Sequence, residues 1–288
     1  MTTPLSIPNE SLAGSFDLKG LSIPTVAKKA SPLRALSSVL GSPENPSTAQ
    51  AKTLDQYPQD INGNYIITDP LERDQNFNHW FKQSKIQEQS GTPIVMYHGA
   101  QQFVGDQFDP NKQGTRDEGS LGKGFYFTNG AEKAGIYAET PIFDIYGEAI
   151  TEAPAPEMLP VWLSVQNPIV IGREGELDDK TWNILKKHIR SELSDRGDTE
   201  FFDMLNTGDL EPNFRFDALS DIDAFYNYPI SKMAQDAGFD AIMTDDLHEV
   251  NVFDPTQIKS IHNRGWFNPD NPDILANQSD TQDRETPA

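Results

Sequence analysis

Apolar residues recur at helical spacing after a start signal at Asp69-Pro70. Aspartate is a favoured N-cap residue, proline fits the first helical position, and Glu72 stands three residues after the cap, where a capping box needs it. The pattern predicts a helix that begins here and turns Phe77 and residues 80–81 towards the core. We expect ordered structure to begin near this helix.

Short apolar or alternating runs after this helix predict β-strands. The runs lie at 94–97, 124–127, 161–165, 168–171, 241–243 and 250–253, and a short helix is predicted at 131–138. Between 174 and 237 the period changes, because apolar residues recur at helical spacing at Trp182, Leu185, Ile189 and Leu193. The order of elements predicts an α+β fold with a helical insertion at 174–237.

Composition changes towards both ends of the chain. Residues 1–60 contain seven prolines and nine serines with few aromatic residues, too little apolar surface to offset the entropy of ordering. The residues from 268 onward are mostly polar and begin with a repeated Asn-Pro-Asp. We therefore predict a flexible arm at 1–65, one ordered domain at 66–268 and a disordered tail at 269–288.

Cysteine content and charge exclude several classes of protein. The chain has no cysteine, which excludes structural disulfides, thiolate zinc sites and cysteine nucleophiles. Its formal net charge of −21 argues against general nucleic-acid binding, because phosphate backbones are held by clustered Lys and Arg. The pattern contains neither a signal peptide nor a run of ~18 apolar residues that would span a membrane. We expect a soluble protein made in the cytoplasm.

Three separated segments carry candidate chemistry, at 97–99, 122–137 and 249–254. Taken singly, each has an ordinary structural interpretation: a hydrogen-bonded histidine, core tyrosines and a charge at the edge of a strand. The acidic and histidine residues at 245–249 match neither an EF-hand nor a zinc helix motif, so we predict a solvated loop and no metal site.

In this order, the three segments resemble the ADP-ribosyltransferases of the His-Tyr-Glu class, which includes diphtheria toxin and the poly(ADP-ribose) polymerases. A closer resemblance is to ADP-ribosyltransferase domains in polyvalent proteins of phages and mobile elements. It rests on a Trp-Phe-Lys-Gln-Ser-Lys lead-in at 80–85, the Asn167-Pro168 turn, and the closing runs at 253–260 and 263–265. The resemblance implies split antiparallel β-sheets around a cleft for NAD⁺, which is the substrate.

The resemblance also assigns roles to residues. The catalytic triad would be His98, Tyr126 and Glu249, with Gly99 on the nicotinamide carboxamide and Tyr137 as a second stacking ring. The nicotinamide ring of NAD⁺ already carries positive charge, so its departure needs no general acid. The oxocarbenium ion that develops on the ribose needs a nearby carboxylate, and Glu249 would supply it. His98 would donate a hydrogen bond to the adenosine ribose.

The glycines around Lys123 match neither a Walker A motif nor the Gly-x-Gly-x-x-Gly dinucleotide pattern. Lys123 and Arg116 either neutralise the NAD⁺ pyrophosphate or belong to a loop without that role. The chain also departs from the family, with Ala100 and Ala134 at positions where a hydroxyl is usual. Each missing hydrogen bond would weaken NAD⁺ binding by ~1 kcal/mol.

The sequence therefore predicts a mono-ADP-ribosyltransferase that modifies a host macromolecule, most simply a protein, as a phage or mobile-element effector or toxin. Such a protein would be expressed in, or delivered into, a host bacterial cell. Two alternatives stay open: an inactive ADP-ribosyltransferase-like protein that binds a basic host partner, and an NAD⁺ glycohydrolase.

Overall fold

Two β-sheets and five helices make up the described part of the chain, which comprises residues 52–115, 119–140, 156–193 and 210–275 of a computed structural model. The strands are β1 (Met96–Ala100), β2 (Phe125–Phe127), β3 (Glu157–Leu163), β4 (Pro168–Ile171), β5 (Ala241–Thr244), β6 (Val250–Val252) and β7 (Ile258–Ser260). The helices are α1 (Pro70–Phe81), α2 (Ala131–Glu139), α3 (Asp179–Leu193), α4 (Arg215–Tyr226) and α5 (Ile230–Asp236).

The strands form two sheets, as the resemblance implied. One is antiparallel with the order β1-β3-β7, and the other has the order β2-β6-β5-β4. The second sheet is not fully antiparallel, because β4 and β5 run parallel. A parallel pair needs a long crossover connection, and the helices between these strands provide it. The sheets meet where Tyr97 of β1 and Thr128 exchange two backbone hydrogen bonds of 2.8 and 3.0 Å.

Helix α1 begins as predicted. The Asp69 carboxylate accepts from the Leu71 amide at 3.0 Å, with Pro70 at the first helical position. The Glu72 carboxylate does not close a capping box; it accepts from the Tyr57 hydroxyl at 2.5 Å and from Lys52 at 2.7 Å. Burial and the hydrogen bond to Glu72 raise the pKa of Tyr57 to about 12. The start of α1 is therefore tied to the segment that precedes it.

The inner face of the helical insertion is the one predicted. Four side chains of α3 are almost fully buried, at Trp182, Leu185, Ile189 and Leu193. They pack with Leu219 and Ile222 of α4 and with Met233 of α5 in one core cluster that reaches the underside of β4 and β5. The part of the predicted insertion at 194–209 lies outside the described residues. The helices thus cover one face of the four-stranded sheet.

Packed residues extend beyond the predicted limits of 66 and 268. Asp60 accepts from Arg264 at 3.1 Å, and Trp266 donates to the Tyr65 carbonyl at 2.9 Å. Residues 1–51 and 276–288, where most of the predicted arm and tail fall, lie outside the described residues. No helix in the described part of the chain is long and apolar enough to cross a membrane.

Residues 258–275 form a polar closure that we call the C-terminal clasp. Lys259 of β7 is fully buried, and its ammonium donates to the carbonyl oxygens of Asn271 and Asp273. Asn263, also buried, donates to the Ile274 carbonyl at 2.9 Å. Burial lowers the pKa of Lys259 to about 8, although the nearby carboxyl groups of Asp273 and Asp254 act in the opposite direction. The clasp fixes the chain that follows β7 to the three-stranded sheet.

Candidate functional site

A cavity of about 520 Å³ lies where β1 of one sheet meets β2 of the other. Its walls are completed by α2, by residues within 102–114 and 119–120, and by the residues that precede β6. Five predicted site residues line it: His98, Gly99, Tyr126, Tyr137 and Glu249. The fold therefore brings together three segments that are far apart in the sequence.

His98 lies in the cavity wall with its ring against Phe108 and Phe127. Its Nδ1 is 2.8 Å from the carbonyl oxygen of Tyr126, and since a carbonyl only accepts, Nδ1 carries the proton. Burial lowers the pKa of the imidazole, an effect that the bond to Tyr126 partly opposes. The neutral ring leaves Nε2 as an acceptor, which differs from the predicted donor role.

Gly99 marks a place where a strand and a helix approach through their backbones. A Cβ atom at Gly99 would lie 1.9 Å from the carbonyl oxygen of Ala134 in α2, so no larger residue fits. Backbone amides of a strand alternate in direction. The amide and carbonyl of Gly99 therefore point the same way as those of Tyr97, away from β3. At Tyr97 these groups bind Thr128, and two residues later they face the cavity.

Tyr126 joins the cavity to the glycine-rich loop before β2. Its hydroxyl donates to the Gly122 carbonyl at 2.6 Å and accepts from the Leu121 amide at 2.8 Å. Gly119 has a φ of +70°, and a Cβ there would lie 2.2 Å from this hydroxyl. The Tyr126 hydroxyl thus holds the loop in place, and the residue also lines the cavity.

Glu249 directly precedes β6, at the end of a tight turn. Its amide donates to the Thr244 hydroxyl at 3.1 Å, and its carbonyl accepts from the Thr244 amide at 2.9 Å. The carboxylate reaches two partners: Ser120 donates to Oε2 at 2.5 Å, and the Lys133 ammonium lies 3.4 Å from Oε1. The side chain is 23% exposed, so the carboxylate is accessible from the cavity.

Asp246, close to Glu249, stabilises the turn. Its carboxylate accepts from the His248 amide at 3.0 Å and from the Thr244 hydroxyl at 2.8 Å, and these bonds lower its pKa. Among the described residues, no group of three or more His, Asp or Glu side chains is arranged to hold a metal ion. The contacts of Asp246 within the turn are a structural reason for an acidic residue at this position.

Helix α2 presents two site residues one turn apart. The Lys133 ammonium lies 5.9 Å from the centre of the Tyr137 ring, and both residues line the cavity. Tyr137 is 46% exposed, which leaves much of its side chain open to a ligand. The i, i+4 spacing predicts that these two residues share a face of α2, although Lys133 carried no predicted role.

Of the two predicted phosphate contacts, Lys123 is not among the residues that line the cavity. Its side chain is exposed, and its aliphatic stem passes close to Gly114. The other, Arg116, lies outside the described residues. Lys112, which carried no prediction, does line the cavity, as does Ser120. No local sequence signal identifies Ser120, because its contact with Glu249 spans 129 residues.

Comparison with known families gives one match. A family model described as ADP-ribosyltransferase in polyvalent proteins matches residues 88–267, which is more than half of the 288 residues. Comparison with curated proteins found no match, and comparison with solved structures found none either. All the residues that line the cavity, from Tyr97 to Glu249, fall within the matched range.

Proposed function

The chain belongs to the family of ADP-ribosyltransferases found in polyvalent proteins, and we propose that it cleaves NAD⁺ and transfers ADP-ribose to a host macromolecule. The observation that carries this proposal is that His98, Tyr126, Tyr137 and Glu249 line the same cavity. A volume of about 520 Å³ is within the ordinary size range of cofactor sites.

Nicotinamide binds at the edge of β1. The outward-facing amide and carbonyl of Gly99 form a donor and acceptor pair that matches the carboxamide of nicotinamide. The rings of Tyr126 and Tyr137 then flank the nicotinamide ring from β2 and α2. Ala100 and Ala134 add no hydroxyl to this contact, so the backbone of Gly99 carries the recognition of the carboxamide.

Glu249 stabilises the positive charge that develops during cleavage of NAD⁺. The bond between C1′ of ribose and the nicotinamide nitrogen breaks, its electron pair leaves with nicotinamide, and positive charge develops on the ribose. The Glu249 carboxylate accepts a hydrogen bond from the ribose 2′-hydroxyl and stabilises that charge. Oε1 is the oxygen available for this, because its contact with Lys133 is long at 3.4 Å. The acceptor then attacks C1′ and loses its proton to water.

His98 holds the other end of the dinucleotide. Because Nδ1 donates to the Tyr126 carbonyl, Nε2 accepts from a hydroxyl of the adenosine ribose. The lowered pKa keeps this nitrogen unprotonated at neutral pH. The lysines that line the cavity, Lys112 and Lys133, place positive charge near the pyrophosphate. We propose a protein acceptor in a bacterial host, in keeping with an effector or toxin of a phage or mobile element.

The test is the Glu249→Gln variant, with Glu132→Gln as the matched control. Glu132 is an exposed carboxylate on α2 that does not line the cavity. Each protein is incubated with NAD⁺ labelled in the adenylate part and with bacterial lysate, and labelled acceptors and free nicotinamide are measured. We expect Glu249→Gln to lose ~10²-fold or more in nicotinamide release, the scale of one electrostatic stabiliser, and Glu132→Gln to match wild type.

The same assay separates the alternatives. Released nicotinamide and free ADP-ribose without a labelled acceptor identify an NAD⁺ glycohydrolase. Neither released nicotinamide nor a labelled acceptor from the wild-type protein identifies a binding-only protein and overturns the proposal. Equal turnover by wild type and Glu249→Gln overturns the catalytic role of this carboxylate.

A further inference from the structure

The carboxylate of Glu249 has two unequal partners. We propose that Ser120 is a positioning residue that fixes the Glu249 carboxylate for NAD⁺ cleavage, an inference that rests on the proposed function. Ser120 Oγ lies 2.5 Å from Oε2, whereas the Lys133 ammonium lies 3.4 Å from Oε1. A carboxylate only accepts, so the serine hydroxyl is the donor.

The two contacts give the two oxygens different tasks. A short bond from a hydroxyl to an ionised carboxylate is among the stronger hydrogen bonds in proteins, so Oε2 stays anchored. The longer contact with Lys133 is the one that a substrate hydroxyl can replace. Ser120 therefore sets the orientation of the carboxylate while leaving Oε1 for the ribose 2′-hydroxyl.

Ser120 is held in place by the turn that follows it. The Leu121 amide donates to the Tyr126 hydroxyl at 2.8 Å, and that hydroxyl donates to the Gly122 carbonyl at 2.6 Å. The side-chain amide of Asn251 donates to the carbonyl oxygens of Leu121 and Gly122 at 3.1 and 2.9 Å. Four hydrogen bonds thus fix the two residues directly after Ser120.

Asn251 links the position of the Ser120 loop to that of the Glu249 carboxylate. This residue is fully buried in the middle of β6, two positions after Glu249, where an apolar side chain would be ordinary. It occupies space left free by Gly124, because a Cβ there would lie 1.7 Å from Asn251 Oδ1. The short segment at 249–251 therefore carries both the carboxylate, directly before β6, and the amide that holds the Ser120 loop, in the middle of β6. The two side chains are two residues apart in the chain.

The experiment compares Ser120→Ala, Ser120→Thr, Glu249→Gln and the double variant Ser120→Ala/Glu249→Gln with the wild-type chain. Nicotinamide release from NAD⁺ in the presence of bacterial lysate gives kcat and KM, and it reports cleavage whichever acceptor is used. Ser120 is exposed, so its replacement by alanine should leave the protein folded, which circular dichroism and thermal unfolding check.

Ser120→Ala should lower kcat by about 10- to 100-fold, the worth of one hydrogen bond to a charged group, with little change in KM. Ser120→Thr keeps the hydroxyl and should restore most of kcat. In the Glu249→Gln background, Ser120→Ala should change kcat by less than about two-fold, because a residue that acts through Glu249 has nothing left to position.

Three results would overturn the inference. If Ser120→Ala turns over like wild type while Glu249→Gln is inactive, the positioning role fails and the proposed function stands. An equal loss from Ser120→Ala in both backgrounds would show that Ser120 acts independently of Glu249. An inactive wild-type chain overturns the proposed function and this inference together.

Discussion

The cavity and the C-terminal clasp each contain a lysine whose ammonium group faces oxygen atoms, but the two lysines are held in different ways. Lys133 in the cavity is 23% exposed and faces one carboxylate oxygen of Glu249 at 3.4 Å. Lys259 in the clasp is fully buried and donates to two backbone carbonyl oxygens. The first arrangement is a loose ion pair at a ligand site, and the second is a fixed part of the fold.

The difference shows how surroundings determine what a charged residue contributes. Backbone carbonyls cannot move away without unfolding their segment, so Lys259 ties residues 271–273 to β7. A partly exposed ion pair contributes little to stability, because water and salt screen it. It can therefore be broken when a ligand binds. We expect substitutions in the clasp to change stability and substitutions in the cavity to change turnover.

The largest expected effect on stability is at Lys259. Lys259→Ala removes a buried aliphatic stem and leaves two carbonyls without a donor, so the free energy of unfolding should fall by about 4 kcal/mol. Lys133→Ala should lower it by less than about 0.5 kcal/mol. Urea unfolding followed by fluorescence measures both. A similar loss in the two variants would remove the distinction between cavity and clasp.

The pH dependence of stability sharpens the same comparison. The folded protein holds the pKa of Lys259 at about 8, below its ordinary 10.5, so the unfolded chain binds this proton more tightly. Stability from this group is complete above pH 10.5 and is lost as the pH falls through about 8. The free energy of unfolding should therefore rise by about 3 kcal/mol between these pH values, at about 1.4 kcal/mol per pH unit.

Lys259→Met provides the control for this pH effect, because it keeps the stem and removes the titrating group. Burial and an acidic partner raise the pKa values of Tyr57 and Tyr228, so the contribution of these tyrosines to stability falls above pH 10 in both proteins. Because this loss is common to both, it cancels when the free energy of unfolding of the variant is subtracted from that of the wild type. A difference that stays constant from pH 7.5 to 10.5 would contradict the lowered pKa of Lys259.

A smaller effect is expected where the cavity wall depends on a backbone contact. Gly99→Ala should lower the free energy of unfolding by about 2 kcal/mol, because the new methyl group meets the Ala134 carbonyl and pushes α2 from β1. Gly135→Ala is the matched control: a Cβ there meets nothing within 4 Å, and alanine favours the helix by up to about 1 kcal/mol. Thermal unfolding of both variants shows whether each substitution lowers or raises stability. If Gly99→Ala were as stable as Gly135→Ala, the close approach would be wrong.

Local sequence signals predicted most of the elements but not how strands pair. The Asp69-Pro70 start of α1 and the limits of β4 are confirmed. The strand predicted at 94–97 lies at Met96–Ala100 instead, because its length is set by pairing with β3 across residues 157–161. Strand β7 was not predicted, since it has three residues with a lysine at its centre. The parallel pairing of β4 with β5 depends on a crossover that no local pattern encodes.

The candidate site was predictable where short motifs carry it. Five residues from these motifs line one cavity: His98, Gly99, Tyr126, Tyr137 and Glu249. Ser120 and Asn251 were missed because their significance lies in contacts across about 130 residues of chain. A polar residue in the middle of the valine-rich strand β6 was the one local sign that something nearby required a hydrogen bond.

The approach of α2 to β1 at Gly99 has a consequence for how freely this protein can be redesigned. A contact between two main chains does not depend on which side chains surround it. Residues such as Ala100, Val104 and Tyr137 can therefore be exchanged to accept new ligands while the spacing between strand and helix is retained. The dimension of the pocket at this point is fixed by a single missing methyl group.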